Sequence, residues 1–242
     1  MNHRLDRIGT VCAWIVLPLM AVALFGAFLY APTEAVMGDV QRIFYFHVPS
    51  AWVAFLSFFV TCVFSIAYLR TKQRRHDAIA VSSAEIGIVF ASIAIITGTL
   101  WARPVWNTWW TWDPRLSTTL ILWLIYMAYM MLRSAVEGEE QRARFSAVLG
   151  IIGFLDVPIV FMAIRWWRTI HPVLIGGSSS PDAQGQFNME PQMVVALLLG
   201  VSTFTLLYFA LLSRRVLLEE TTDRVARLKQ AFVDRESSWG DV

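Results

Sequence analysis

Residues 79–101, IAVSSAEIGIVFASIAIITGTLW, form an apolar run in which Glu85 is the only charged side chain. A helix of roughly 20 apolar residues crosses the hydrocarbon core of a bilayer, so this run predicts a transmembrane helix. Five further runs are long enough to cross, and the six predicted spans are residues 8–30, 48–69, 79–101, 116–132, 145–164 and 192–212. The sequence therefore predicts an all-α integral membrane protein with six transmembrane helices.

The composition argues against several other classes of protein. Hydrophobic residues make up 57% of the 242 residues and charged residues 16%, which lies outside the usual range of a soluble domain. A net charge of +2 is too small to predict nucleic-acid binding. Cys12 and Cys62 both lie in apolar runs, and they form neither a zinc-binding spacing nor a CxxCH haem-attachment site.

Basic residues are distributed unevenly between the predicted loops. Fifteen of the twenty Lys and Arg residues fall in the N-terminal segment, in the loops 70–78 and 133–144, and after residue 212. The positive-inside bias therefore predicts that both termini are cytoplasmic. The segments that then face outward are residues 31–47, 102–115 and 165–191.

The two ends of the chain need separate consideration. The first run follows Arg4 and Arg7, as a secretory signal would, but it exceeds the ~7–15 residues of a signal h-region, so we expect a retained helix. The last segment spaces apolar residues among charges, which is typical of an amphipathic helix. We accordingly expect a transmembrane domain, residues 1–212, followed by a cytoplasmic tail, residues 213–242.

A tryptophan-rich external loop is predicted at residues 101–115, WARPVWNTWWTWDPR, which holds five of the eleven tryptophans within twelve positions. One interpretation is an interfacial belt, because indole rings gather where membrane meets water. The density of the cluster favours a second interpretation, an apolar platform for a flat polycyclic ligand. Asp113 and Pro114 have the residue types of a helix N-cap and first turn. A helix N-terminus beside Arg115 could also receive a ligand carboxylate.

Two of the four histidines, His47 and His171, lie next to predicted outer helix ends. Each is closely followed by a proline, which favours an extended or turn backbone and a stiff mount for the imidazole. A single such histidine is most simply a loop residue, whereas a pair could ligate haem iron from opposite sides. His3 and His76 lie in basic segments where solvated side chains are expected. For Glu85 and Asp156, which lie inside apolar runs, we expect structural hydrogen bonds.

The segments WWTWDPR and RWWRTIHP, with a histidine before the second helix, resemble the tryptophan-rich signature of a haem-handling family of cytochrome c maturation. The family is heme exporter protein C, or CcmC, within the WWD superfamily. The resemblance covers about residues 38–212, with Ala102 and Asn107 where members often have glycine. It implies a membrane protein that is not an enzyme and that binds b-type haem transiently and non-covalently.

The resemblance also implies specific site residues and partners. His47 and His171 would be the iron ligands, and the remaining haem-binding residues would be Trp101, Trp106, Trp109, Trp110, Trp112, Asp113 and Arg115. The family lies in the bacterial cytoplasmic (inner) membrane and presents haem at the periplasmic face to the chaperone CcmE. It works beside the ABC-type subunits CcmA and CcmB and the small membrane protein CcmD.

Two other functions remain open at this point. A b-type cytochrome subunit for electron transfer would bury haem between histidines inside transmembrane helices, whereas both candidates here lie at helix ends. A secondary transporter would need a polar site near the midplane of the bilayer and broken helices, for which Glu85 and Asp156 give little support. The chain has no GxxxxGK[ST] phosphate loop, which argues against its being an ATPase subunit.

The charge distribution predicts a topology that thiol labelling can test. In a background without Cys12 and Cys62, cysteines introduced at Asn107 or near Gln184 should react with a membrane-impermeant reagent added to intact cells. Cysteines placed in residues 70–78 or 215–235 should react only after the cells are lysed. Protection of both outer positions in intact cells would reverse the orientation.

Overall fold

Helices account for most of the chain in the computed structural model, which describes residues 3–167, 169–171 and 189–240. The α-helices are α1 (His3–Phe25), α2 (Phe44–Thr71), α3 (Arg74–Trp106), α4 (Pro114–Ala135), α5 (Glu139–Phe154), α6 (Asp156–Trp166) and α7 (Pro191–Gly240). A π-helical turn, Gly26–Tyr30, extends α1, and a 3-10 turn, Asp39–Ile43, precedes α2. The described residues contain no β-strand, which confirms the all-α prediction.

Six helical segments are long and apolar enough to cross a membrane, as predicted. Helices α5 and α6 together form one of these segments, Glu139–Trp166. The helix is interrupted at Leu155 because Pro158, four residues after Phe154, has no N–H to donate to the Phe154 carbonyl.

The helices extend beyond the predicted spans at most of their ends. The third helix continues to Trp106, so the prediction of a loop beginning at residue 101 was wrong for residues 101–106. Asn107 ends this helix in a left-handed conformation (φ 55°), and Arg103 donates a hydrogen bond to the Asn107 carbonyl at 2.7 Å. The fourth helix begins at Pro114 with Asp113 as its N-cap, which confirms the prediction made from these two residue types.

The sixth span and the predicted tail form one continuous helix, α7. No proline occurs after Pro191, and the only glycine before the helix end is Gly200, so nothing in the sequence ends the helix near residue 212. Apolar side chains beyond that point are exposed, among them Leu218, Leu228 and Phe232. The division into two domains at residue 212 stays a prediction.

Helix α2 lies at the centre of the bundle and contacts α3, α5 and α7, while α1 packs mainly against α7 and α4 packs against α3, α5 and α6. The contact between α2 and α3 is close because small residues face each other. A Cβ atom at Gly87 would lie 2.5 Å from Cε1 of Phe58. Small residues let helix backbones approach closely in membrane proteins.

The buried core continues from α2 into α4 and α7. The Phe58 ring stacks on Tyr126 of α4 with centroids 3.7 Å apart. Ser83 of α3 donates to the Ser57 carbonyl at 2.7 Å and lies 2.8 Å from the Tyr208 hydroxyl of α7. These contacts join four helices in the middle of the bundle.

Ion pairs connect the helices at the end opposite the tryptophan-rich run. Asp77 accepts two hydrogen bonds from Arg133, at 2.7 and 3.1 Å, and both side chains are buried. Glu85 pairs with Arg215 of α7, which is the structural role expected for this acid. For Asp156 that expectation is not met at Oδ2, which is buried and has no hydrogen-bond partner among the described residues.

Candidate functional site

A cavity of about 310 Å³ lies at the end of the bundle that carries the tryptophan-rich run. Helices α2, α3, α4 and α6 and the segments after α3 and α6 supply its walls, which are mainly apolar and aromatic. Two imidazoles and two guanidinium groups also line it, from His47, His171, Arg115 and Arg165. Among the described residues, no carboxylate lines this cavity.

Six of the nine predicted haem-binding residues line this cavity. They are His47, His171, Trp101, Trp106, Trp110 and Arg115. The other three predicted residues, Trp109, Trp112 and Asp113, lie outside it. The structure therefore divides the predicted set into residues that could contact a ligand in the cavity and residues that would act in another way.

The tryptophans occupy two different environments. Trp101 and Trp106, in the last turns of α3, contact each other edge to face with centroids 4.9 Å apart. The Trp106 ring lies 6.5 Å from the imidazole of His171. In contrast, Trp109 and Trp112 are 55% and 76% exposed, so their rings are available to another molecule.

His47 lies in the first turn of α2 and not in a loop, which corrects the expectation that the following proline imposes an extended backbone. Pro49 is part of the helix because its fixed φ is compatible with helical geometry. Because Pro49 has no backbone N–H, the carbonyl of Tyr45, four residues earlier, lacks its usual helical donor. That carbonyl lies against α7, where a Cβ atom at Gly200 would approach it to 3.2 Å.

The imidazole of His47 is held against α3 by two residues. A Cβ atom at Gly98 would lie 3.0 Å from Cε1 of His47, so glycine makes room for the ring. The hydroxyl of Thr97 lies 3.1 Å from Nδ1 of His47 and donates its proton to the Ile93 carbonyl at 2.7 Å. When the hydroxyl proton goes to the Ile93 carbonyl, the hydroxyl oxygen can accept from Nδ1–H, and Nε2 then keeps the lone pair that a metal needs.

His171 follows α6 in a non-helical segment, and its imidazole also lines the cavity. Its backbone N–H donates to the Thr169 hydroxyl oxygen at 3.1 Å. Thr169 in turn donates to Oδ2 of Asp113 at 2.7 Å. The predicted effect of Pro172 on this backbone lies outside the described residues.

Three residues that line the cavity, Arg115, Trp110 and Arg165, carry hydrogen-bond donors. Nη1 of Arg115 donates to the Val160 carbonyl of α6, and the guanidinium lies 6.0 Å from the Phe55 ring centroid. The indole Nε1 of Trp110 is buried and has no hydrogen-bond partner among the described residues. Together with Arg165, these groups make this part of the cavity positive and rich in donors.

Sequence reasoning did not identify Thr97, Gly98, Arg165 or Thr169 as site residues. Thr169 carried a weak signal, because a threonine hydroxyl in a turn often accepts the backbone N–H of the residue two positions later, which here is His171. Thr97 and Gly98 carried none. Their role depends on the packing of α2 against α3, which the sequence pattern does not specify.

The chemistry of the donors restricts the ligand. No group of three or more His, Cys, Asp or Glu residues that could hold a metal ion occurs among the described residues. Protein sites for bare zinc use three or four protein ligands, so two imidazoles fit a metal that brings its own equatorial ligands. The apolar walls suit a planar macrocycle, and the guanidinium groups and the free indole N–H suit its carboxylates.

Comparisons with known proteins agree with this arrangement. A family model described as heme exporter protein C matches residues 2–231. The heme exporter protein C of Bradyrhizobium diazoefficiens is 38% identical over 196 residues, which cover 80% of this chain and 71% of the relative. That of Rhodobacter capsulatus is 32% identical over 226 residues, covering 92% and 91%.

A third relative is a mitochondrial protein. A putative cytochrome c biosynthesis ccmC-like mitochondrial protein of Marchantia polymorpha is 30% identical over 205 residues. The alignment covers 83% of this chain and 84% of the relative.

Proposed function

We propose that this chain, which belongs to the heme exporter protein C family, binds haem in the cavity described above. The family is a membrane component that handles haem for cytochrome c maturation, and it is not an enzyme. Binding is non-covalent and transient, and the haem is of b type. The chain then delivers this haem to the chaperone CcmE at the periplasmic face of the bacterial cytoplasmic membrane.

The observation that carries the proposal is that His47 and His171, which are far apart in the sequence, line one cavity with aromatic walls. They come from different elements, α2 and the segment after α6. Two neutral imidazoles are a common axial pair for haem iron. The Thr97 hydroxyl favours the neutral tautomer of His47 with its lone pair on Nε2, which is the nitrogen that would bind the iron.

The polar end of the cavity supports an orientation for the haem. Haem propionates are carboxylates, and planar guanidinium groups bind carboxylates with good geometry. We place the propionates near Arg115 and Arg165, with the indole N–H of Trp110 as a further donor. The N-terminus of α4 adds a favourable partial positive charge.

Delivery requires that a partner can reach the bound haem. The exposed rings of Trp109 and Trp112 lie next to the cavity-lining Trp110, with the Trp110 and Trp112 centroids 5.8 Å apart. Aromatic side chains are common at the centre of protein interfaces. We therefore assign Trp109 and Trp112 to contact with CcmE, and we expect CcmA, CcmB and CcmD to associate with the membrane-spanning helices.

The two alternative functions have less support. An electron-transfer cytochrome would enclose its haem between helices, but here one candidate ligand, His171, lies on a non-helical segment. A transporter would need several polar groups available near the midplane, but Glu85 is paired with Arg215, which leaves Asp156 alone of the two acids considered. Retention of haem through repeated redox cycles in the presence of CcmE would favour the cytochrome.

The ligand assignment predicts distinct spectra for histidine variants of the purified protein. Replacement of either His47 or His171 with Ala should weaken haem retention and change the low-spin absorption spectrum, because one axial ligand is lost. Replacement of both should abolish iron ligation. His76→Ala is the matched control, since His76 bonds to Thr71 in the predicted cytoplasmic region. A low-spin spectrum that persists unchanged in the double variant rules out this pair.

The assignment of the exposed tryptophans predicts a separation of binding from delivery. Trp112→Ala should lower the amount of covalent haem on co-expressed CcmE while haem on this chain stays near the wild-type amount. Trp110→Ala should lower both amounts, because Trp110 lines the cavity. Trp14→Ala is the control, since Trp14 is also well exposed, at 71%, but lies on α1.

The measurement is the haem content of both proteins after co-purification. Normal loading of CcmE by a variant without Trp109 and Trp112 would remove these residues from delivery. They would then belong to an interfacial belt.

A further inference from the structure

We propose that Asp113 and Thr169 are positioning residues for His171, and that the aspartate of the tryptophan-rich run acts on the ligand segment without contacting the haem. This inference rests on the proposed function, since it takes His171 to be an iron ligand. Neither Asp113 nor Thr169 lines the cavity, whereas Trp110, Arg115 and His171 do. The two residues therefore act through their neighbours.

Asp113 is hydrogen-bonded to the backbone of the helix that follows it. It is the N-cap of α4, with an extended backbone (φ −70°, ψ 161°), and Oδ1 accepts a hydrogen bond from the Leu116 N–H at 2.9 Å. This contact satisfies one of the N–H groups that have no partner inside the helix. One carboxylate oxygen, Oδ1, thus caps the helix as the sequence predicted, and the other, Oδ2, can accept a hydrogen bond from another part of the chain.

The second oxygen reaches the segment that carries His171. Thr169 is 3% exposed and donates its hydroxyl proton to Oδ2 of Asp113 at 2.7 Å. The same hydroxyl oxygen accepts the backbone N–H of His171 at 3.1 Å. A hydrogen bond to a carboxylate is stronger than one between neutral groups, so a continuous chain of bonds links the first turn of α4 to the backbone of His171.

This chain of bonds limits the position of the His171 imidazole. The segment after α6 is not helical, and Thr169 in its described part donates a hydrogen bond to Asp113, the N-cap of α4. Without the Thr169 hydroxyl, the His171 N–H and one carboxylate oxygen lose this hydrogen bond at the same time. A metal ligand whose supporting hydrogen bonds are lost binds its metal more weakly, by about 10- to 100-fold in known cases.

The geometry also predicts how asparagine behaves at position 113. An asparagine has one side-chain oxygen, so it can accept from the Leu116 N–H or from Thr169 but not from both in the arrangement seen here. Asp113→Asn should therefore keep the helix cap and weaken the bond to Thr169. Capping alone would leave Asp113→Asn close to wild type.

The test is haem binding by full-length purified protein with variants of Thr169. Thr169→Val should weaken haem affinity on the order of 10- to 100-fold and shift the low-spin electron paramagnetic resonance signals. Thr169→Ser keeps the hydroxyl and should stay close to wild type. Thr118→Val is the matched control, because among the described residues the Thr118 hydroxyl bonds only to carbonyls of its own helix, at Pro114 and Arg115.

A double-mutant cycle separates positioning from a general loss of structure. If Thr169 acts through His171, Thr169→Val should cause little further loss of affinity in a His171→Ala background. A loss of equal size in both backgrounds would overturn the proposal, as would wild-type affinity and spectra for Thr169→Val. If His171→Ala itself leaves affinity and spectrum unchanged, the proposed ligand assignment fails instead, and the two failures are distinguishable.

Discussion

The close contact between α2 and α3 is the constraint on which the rest of the structure depends. Glycine at position 87 admits the Phe58 ring, and glycine at position 98, eleven residues further along α3, admits the imidazole of His47. The same contact that packs the membrane core therefore also places a candidate ligand at one wall of the cavity. The Thr97 hydroxyl of the same helix lies 3.1 Å from Nδ1 of that imidazole. Core packing and site geometry are consequently not independent in this chain.

The second candidate ligand depends on a different device. His171 lies after α6, outside the regular helices, and is held by hydrogen bonds that lead through Thr169 to the cap of α4. The tryptophan-rich run thus has three separable parts. Trp101, Trp106 and Trp110 line the cavity, Trp109 and Trp112 face outward, and Asp113 connects α4 to the His171 segment. A single sequence signature can contain all three because a helix end, a turn and a helix start follow one another within residues 101–115.

Hydropathy was sufficient to predict the helical architecture, because each span must satisfy its own backbone within the bilayer. The cap at Asp113 followed from residue chemistry alone. What the sequence could not supply depends on contacts between distant residues: the helical setting of His47, the pairing of Asp77 with Arg133, and the link from Asp113 to Thr169. The continuation of α3 to Trp106 was missed because tryptophan density suggested a loop, while the actual stop signal was the left-handed Asn107.

The central claim is that the imidazoles of His47 and His171 together ligate one haem iron. Pulsed electron paramagnetic resonance of ferric haem bound to protein labelled with ¹⁵N-histidine tests it most directly. The account predicts couplings to two histidine nitrogens in the wild type. It predicts that His47→Ala and His171→Ala each remove one of them. A wild-type signal from only one histidine, or two couplings that survive either substitution, would contradict the account.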